Sequence, residues 1–256
     1  MKKIIILLNI IGCMIIGVAV ADTINVNWMV GNTVYDTTTC TIGGDLNVPI
    51  TAPTKRGHIF RGWDFLYTAL EYIESNGGQI INTEYYSESN FLRVVGRAAY
   101  TTSAGNALFG NFNGTEVSIT LYHPNDYVYV ETGRTLSGNA VSVATPYVGA
   151  TFDFDITAAN GQRSGTFNGV NISGPYNGPL CTSLPLCVFG STNTSGYYLF
   201  AGARIHFFKI YSSSGIVRDF VPVRRNSDGA IGMYDKVTNT FFGNSGTGTF
   251  IAGPEL

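Results

Sequence analysis

The stretch ARIHFFKIYSSSGIVRDFVPVRRNSDGAIGMYDKVTNTFFGNSGTGTF, residues 203–250, decides how the chain is read. Ile205, Phe208 and Ile210 are apolar at spacings of three and two, which fits a strand carrying one bulge and not a helix. Ser212-Ser213-Ser214-Gly215 breaks that run. An apolar segment begins again at Ile216 and is expected to stop at Pro222, and Asp228-Gly229 reads as a tight turn before Ile231-Gly232-Met233-Tyr234-Asp235. Strand and turn account for the whole stretch.

The same grammar extends through the chain. Its 256 residues include 31 Gly, 15 Tyr and 16 Phe, and only 12% are charged, a composition of strands joined by tight turns. Strands are predicted at residues 91–100, 107–110, 117–121, 127–131, 147–156, 165–172, 186–190 and 197–200, and no run demands a helix. The length suits one β-sandwich with a small extra module. A formal net charge of −2 without a basic stripe supplies no field for nucleic acid, so that partner is not expected.

The C-terminal stretch resembles the end of the laminin-G-like (concanavalin A-like) jelly-roll domains of secreted bacterial proteins. The residues that carry the resemblance are the strand from Arg204 to Tyr211, Val217-Arg218-Asp219-Phe220-Val221-Pro222-Val223-Arg224-Arg225, the Ser227-Asp228-Gly229 turn, Gly232-Met233-Tyr234-Asp235, and Asn244 to Glu255. Leu70-Glu71-Tyr72-Ile73-Glu74, running on to Thr83, is similar to the opening strand of the same group. First and last strands often lie close in a sandwich, so the resemblance implies one all-β, two-sheet antiparallel jelly roll over residues 68–256.

Ahead of it, Met1-Lys2-Lys3, an apolar run to Val20 and Ala19-Val20-Ala21 before Asp22 make residues 1–21 a secretory signal peptide, so a secreted or cell-surface protein without stable membrane insertion is expected. A lipoprotein box at Ile10-Ile11-Gly12-Cys13 and an uncleaved anchor are the rival readings. Residues 22–66 read as a small unit in which Ile24, Val26 and Trp28 alternate with polar residues. Its ending, residues 53–63, resembles the internalin-type B repeat, which implies a β-grasp-like module with Phe60 and Trp63 packed on a short sheet.

Chemistry was sought in four places. Tyr127, Tyr129 and Glu131 alternate with valines, which puts them beside Tyr122 on the outward face. These four residues are the candidate ligand site, since rings stack on sugar faces while a carboxylate accepts from hydroxyls. Cross-strand tyrosines also stabilise a sheet without a ligand. Asp153 and Asp155 share one strand face and are the weak candidates for a metal, calcium; no other cofactor is expected. Calcium at Asp219, Asp228 or Asp235 is a further alternative, against charge pairs with Arg218, Arg224 and Arg225. Cys181 and Cys187 either form a local disulfide or leave Cys187 as a core residue.

The laminarinase-like branch of the jelly rolls carries a Glu-x-Asp-x-x-Glu run, which this chain lacks; His58, His123 and His206 have no partner at metal-ligand spacing. The expectation is therefore a protein that is not an enzyme and binds a glycan or an extracellular protein. A glycoside hydrolase or lyase, or a structural component of an extracellular assembly, is the alternative.

Overall fold

A computed structural model of the chain describes residues 6–9, 23–30, 33–41, 66–102, 106–123, 127–134, 140–144 and 146–256. The protein is all-β, and no helix occurs among the described residues. Two compact units divide the chain, Met1–Thr68 and Ala69–Leu256. The first contains a three-stranded antiparallel sheet in the order Ile6–Asn9, Thr23–Val30, Thr33–Thr41. The predicted alternation of Ile24, Val26 and Trp28 falls on its central strand, where Val26 is fully buried. Ile6 lies opposite Trp28, so part of the predicted leader pairs with that strand. Cys13, His58, Phe60, Trp63 and the rest of the 53–63 motif lie outside the described residues.

The second unit is a jelly-roll-type sandwich of two antiparallel sheets. The smaller sheet has six strands in the order Ala140–Ala144, Tyr127–Arg134, Glu116–His123, Asn106–Gly110, Cys187–Val188, Ile81–Asn82. The larger follows the path Val170–Pro175, Gln162–Phe167, Thr151–Ala159, Phe91–Tyr100, Gly202–Ser212, Gly215–Arg225, Ile231–Asp235, Thr240–Phe242. Ile73–Asn76 pairs with both Gly202–Ser212 and Ile251–Ala252, which brings the opening and closing strands together as expected from the two ends of the domain.

Inward-facing residues of both sheets make one core. Phe109 from the smaller sheet reaches Phe154 and Phe208 of the larger, with ring centroids 5.3 and 5.2 Å apart, the offset and edge geometries that aromatic quadrupoles favour. Gly96 makes this possible: a Cβ there would run into the Phe154 ring. Val128 and Val130 are fully buried, so Tyr127, Tyr129 and Glu131 do stand on the outer face, as alternation requires. The predicted bulge is also present, as a register shift between Ile205 and Phe207 against Phe91–Tyr100.

Local geometry departs from expectation in three places. The strand predicted at 165–172 is two strands, because Asn168 and Gly169 both take positive φ, 48° and 76°, and close a two-residue hairpin. Asn160 and Gly161 do the same at φ 49° and 78°, joining Thr151–Ala159 to Gln162–Phe167. Residues 147–150 are turn, not strand.

The strand expected to stop at Pro222 continues to Arg225. Within a strand a residue's N–H and C=O point to the same side, and the Pro222 carbonyl accepts from the Leu70 N–H at 3.0 Å. The missing proline donor therefore faces Leu70 and leaves the pairing with Ile231–Asp235 intact.

Candidate functional site

The outer face of the smaller sheet assembles from strand register. Tyr129 lies opposite both Tyr122 and Ser142, and Tyr122 lies opposite Ala107. One step along, Ala140, Glu131 and Thr120 are in register, and a Cβ on Gly110 would run into the Thr120 hydroxyl. Gly110 is in turn opposite Cys187, and Cys187 opposite Asn82. Ala107, Gly110 and Thr120 are themselves buried, so the accessible polar and aromatic part of these rows is Ser142, Tyr129, Tyr122 and Glu131. Tyr127 is the outermost of the four candidates, 52% exposed, whereas Tyr122, Tyr129 and Glu131 are half-buried.

Two further parts of the chain border this face. The hairpin of Ser191–Asn193 and Gly196–Tyr198 is tied to the sheet through Phe112 N–H to the Thr192 carbonyl and Ala107 N–H to the Leu199 carbonyl. Asn82 donates to the Tyr197 hydroxyl at 3.1 Å, and Tyr198 comes within electrostatic reach of Glu131 and Tyr122. On another side, residues 181–185 cover the sheet: Ser87 and Ser118 both donate to the Cys181 carbonyl, and Asn111 donates to the Leu184 carbonyl. Tyr198, Thr120, Asn82 and Gly110 were not singled out in the sequence. Only topology brings Thr120 and Tyr198 beside Glu131, while Gly110 lies two strands and Asn82 four strands from its strand, and no local pattern announces that.

The electrostatics of this face are those of a partly dehydrated surface. Burial pushes the Glu131 carboxyl above the usual carboxylate range. Burial likewise raises the Tyr198 hydroxyl; a hydrogen bond with Ser191 opposes this, and the negative charge of Glu131 adds to it. Thr120 is 5% exposed and its hydroxyl is without a hydrogen-bond partner. A cavity of about 230 Å³ lies elsewhere, between Val143, Pro146, Phe167 and Val170, but its lining is largely apolar. The face has the convergent polar groups that this cavity lacks, so the face is the better candidate.

The remaining candidates have structural partners. Asp153 is held by both donors of Arg97 at 2.7 and 2.9 Å, and Asp155 by Arg93 at 2.8 and 2.7 Å. Each carboxylate is occupied by a two-pronged guanidinium, which corrects the metal-ligand reading of this pair. Asp228 is held by Arg225 in the same way, at 3.0 and 2.7 Å, and this pair brings its carboxyl down to about 2.

Asp219 is paired not with the arginines expected but with Lys236 at 2.9 Å and Lys209 at 3.7 Å. Asp235, fully buried, accepts from the Asp219 and Val237 N–H groups and the Thr238 hydroxyl, with Arg218 at 3.7 Å. Among the described residues no group of three or more His, Cys, Asp or Glu side chains is placed to hold a metal ion.

Cys181 and Cys187 are both buried free thiols, so the disulfide alternative is corrected. Cys187 is fixed by pairing with Gly110 and Asn82, while the Cys181 sulfur lies 3.8 Å from the Ser183 hydroxyl and its carbonyl is anchored by two serines. Burial drives the Cys187 thiol upward, away from thiolate chemistry. His123 is buried against the Tyr100 ring, centroids 4.5 Å apart, and His206 meets the edge of Tyr72 at 5.4 Å.

No family model matches the chain, and no curated protein matches it. Among solved structures it is similar to the alginate lyase AlgAT5 from polysaccharide lyase family 7. The identity is 18% and the TM-score 0.33, and the match covers 48% of this chain and 59% of that one. The chain thus matches about three fifths of that lyase's length, and the likeness carries no activity across. The expectation that the protein is not an enzyme is withdrawn, because the absence it rested on excludes one branch of chemistry and not catalysis. The missing Glu-x-Asp-x-x-Glu run speaks only against laminarinase-like chemistry.

Proposed function

We propose that the protein is secreted and binds a carbohydrate chain on the outer face of the smaller sheet, with Tyr122, Tyr129, Glu131 and Tyr198 as the principal contacts. The observation that carries this reading is the register that sets Tyr129 and Tyr122 side by side on the outer face with Glu131 next to them. Half-buried rings accept the apolar face of a sugar, and Glu131 and Tyr198 supply hydrogen-bonding groups at its edge. From Ser142 through Tyr129 to Tyr122 the accessible face crosses two strand spacings, roughly 10 Å, about the length of two sugar rings. The laminin-G-like resemblance of the sandwich supports a recognition role, and the leader at residues 1–21 supports export.

A glycan array probed with the purified protein tests this. Saturable binding to a related set of sugars is expected, and it should be lost when Tyr122 and Tyr129 are both replaced by Ala. A blank array with the intact fold would transfer the face to an extracellular protein ligand or to a structural role. The secretion reading is checked by N-terminal sequencing of protein recovered from outside the producing cell, with Asp22 expected first.

One observation favours a second reading, cleavage of the bound glycan: Glu131 is a carboxyl raised by burial, near a tyrosine hydroxyl, on the same face. Incubation with the array-positive polymer separates the two. New reducing ends would establish cleavage, and ultraviolet absorbance from a new carbon–carbon double bond would distinguish elimination from hydrolysis. An unchanged chain length would leave recognition alone.

A further inference from the structure

Resting on the carbohydrate reading, we infer that this face selects neutral glycans and rejects those carrying carboxylates, with Glu131 as the residue that discriminates. Among the described residues Glu131 has neither an ion-pair partner nor a hydrogen bond, and it stands where Tyr129, Thr120 and Tyr198 converge. The six strands of this sheet contain one Lys or Arg between them, Arg134. Its register partner is Glu116, with the Thr132/Gly133 bulge separating it from the Glu131 position. The hairpin that borders the face, residues 191–198, contains no cation.

A sugar carboxylate laid on this face would therefore meet one carboxylate in a partly dehydrated setting; the nearest described cation, Arg163, is buried on the core side of the strand, where it donates to the Val130 carbonyl and the Thr132 hydroxyl. Like charges in that setting repel far more strongly than in water. A neutral sugar hydroxyl at the same place donates to the Glu131 oxygens and relieves their lack of partners. Burial already disfavours the Glu131 charge, and a second negative charge would compound that penalty.

The test uses matched pairs: neutral glucan, mannan and galactan oligosaccharides, each beside its counterpart oxidised at C6 to the uronate. Affinities are measured by calorimetry at neutral pH for the protein and for Glu131→Gln, which keeps size and hydrogen-bonding capacity without the charge. The neutral member of a bound pair is expected to be favoured at least about tenfold, and E131Q is expected to narrow that gap. Uronates binding as well as their neutral counterparts would overturn the inference while leaving the carbohydrate reading standing, as would an unchanged gap in E131Q. Binding of neither member by the folded protein would overturn the carbohydrate reading and this inference with it. A melting curve of E131Q confirms that the variant is folded.

Discussion

The two outer faces of the sandwich treat charge in opposite ways. On the larger sheet every acidic side chain named above is answered by a base: Asp153 by Arg97, Asp155 by Arg93, Glu74 by Arg204, Asp219 by Lys236. The cations are themselves backed by rings, Arg93 over Tyr211 at 4.9 Å and Arg204 over Tyr72 at 4.8 Å. On the smaller sheet Glu131 stands without such an answer among half-buried tyrosines. A face whose polar groups are already satisfied gains little from a ligand. One that leaves a half-buried carboxylate unmatched gains an interaction that folding did not supply.

This contrast can be broken at both sheets. The largest effect is expected at Asp235 in the larger sheet, where Asp235→Ala would leave Arg218 and the surrounding donors unmatched in a buried site. That should cost about 3–5 kcal/mol in urea unfolding, and a loss below 1 kcal/mol would mean that the network is not a staple of this sheet. Next, on the smaller sheet, Tyr122→Ala with Tyr129→Ala removes two stacking surfaces worth roughly 0.5–1.5 kcal/mol each. Glycan binding should weaken at least about fivefold with the circular dichroism spectrum kept. Loss of the spectrum instead would make these rings part of the core.

Glu131→Gln sharpens the comparison through pH. A carboxyl whose folded pKa is raised destabilises the fold above that pKa and ceases to do so below its ordinary unfolded value. The variant should therefore melt at a higher temperature than the parent at neutral pH, with the difference closing as pH falls below about 4.3. A lower melting temperature at neutral pH would show that the charge is stabilising where it stands.

The smallest effect belongs to the opposite face. A double-mutant cycle on Arg97 and Asp153, both largely exposed, should give a coupling of about 1 kcal/mol or less, reduced further by salt.

Periodicity made most of the sandwich legible. The valines of Tyr127–Arg134 place its tyrosines outward, and the spacing of Ile205, Phe208 and Ile210 announces a bulge. The turn that divides 165–172 was legible as well, since Asn168-Gly169, like Asn160-Gly161, is a strong hairpin signal. The site was legible only in half. Tyr122, Tyr129 and Glu131 declare themselves by alternation within a hairpin, but Tyr198 and Asn82 arrive from 67 and 49 residues away from Glu131 along the chain, by subtraction of their numbers. Ion pairs were the least legible, because pairing follows cross-strand register and not nearness in sequence: Arg97 answers Asp153 across two strands, whereas Asp219 is answered by Lys236 and not by its neighbour Arg218.

The meeting of Ile73–Asn76 with both Gly202–Ser212 and Ile251–Ala252 also orders events in time. An opening strand whose partners are so distant in sequence must wait, through most of synthesis, for the residues that cover its edge. The hairpins from Thr151 to Pro175 need only near neighbours and can form at once. The sandwich therefore closes late and from its ends. A chain whose last step is the capture of its first strand is kept from premature completion by its own topology.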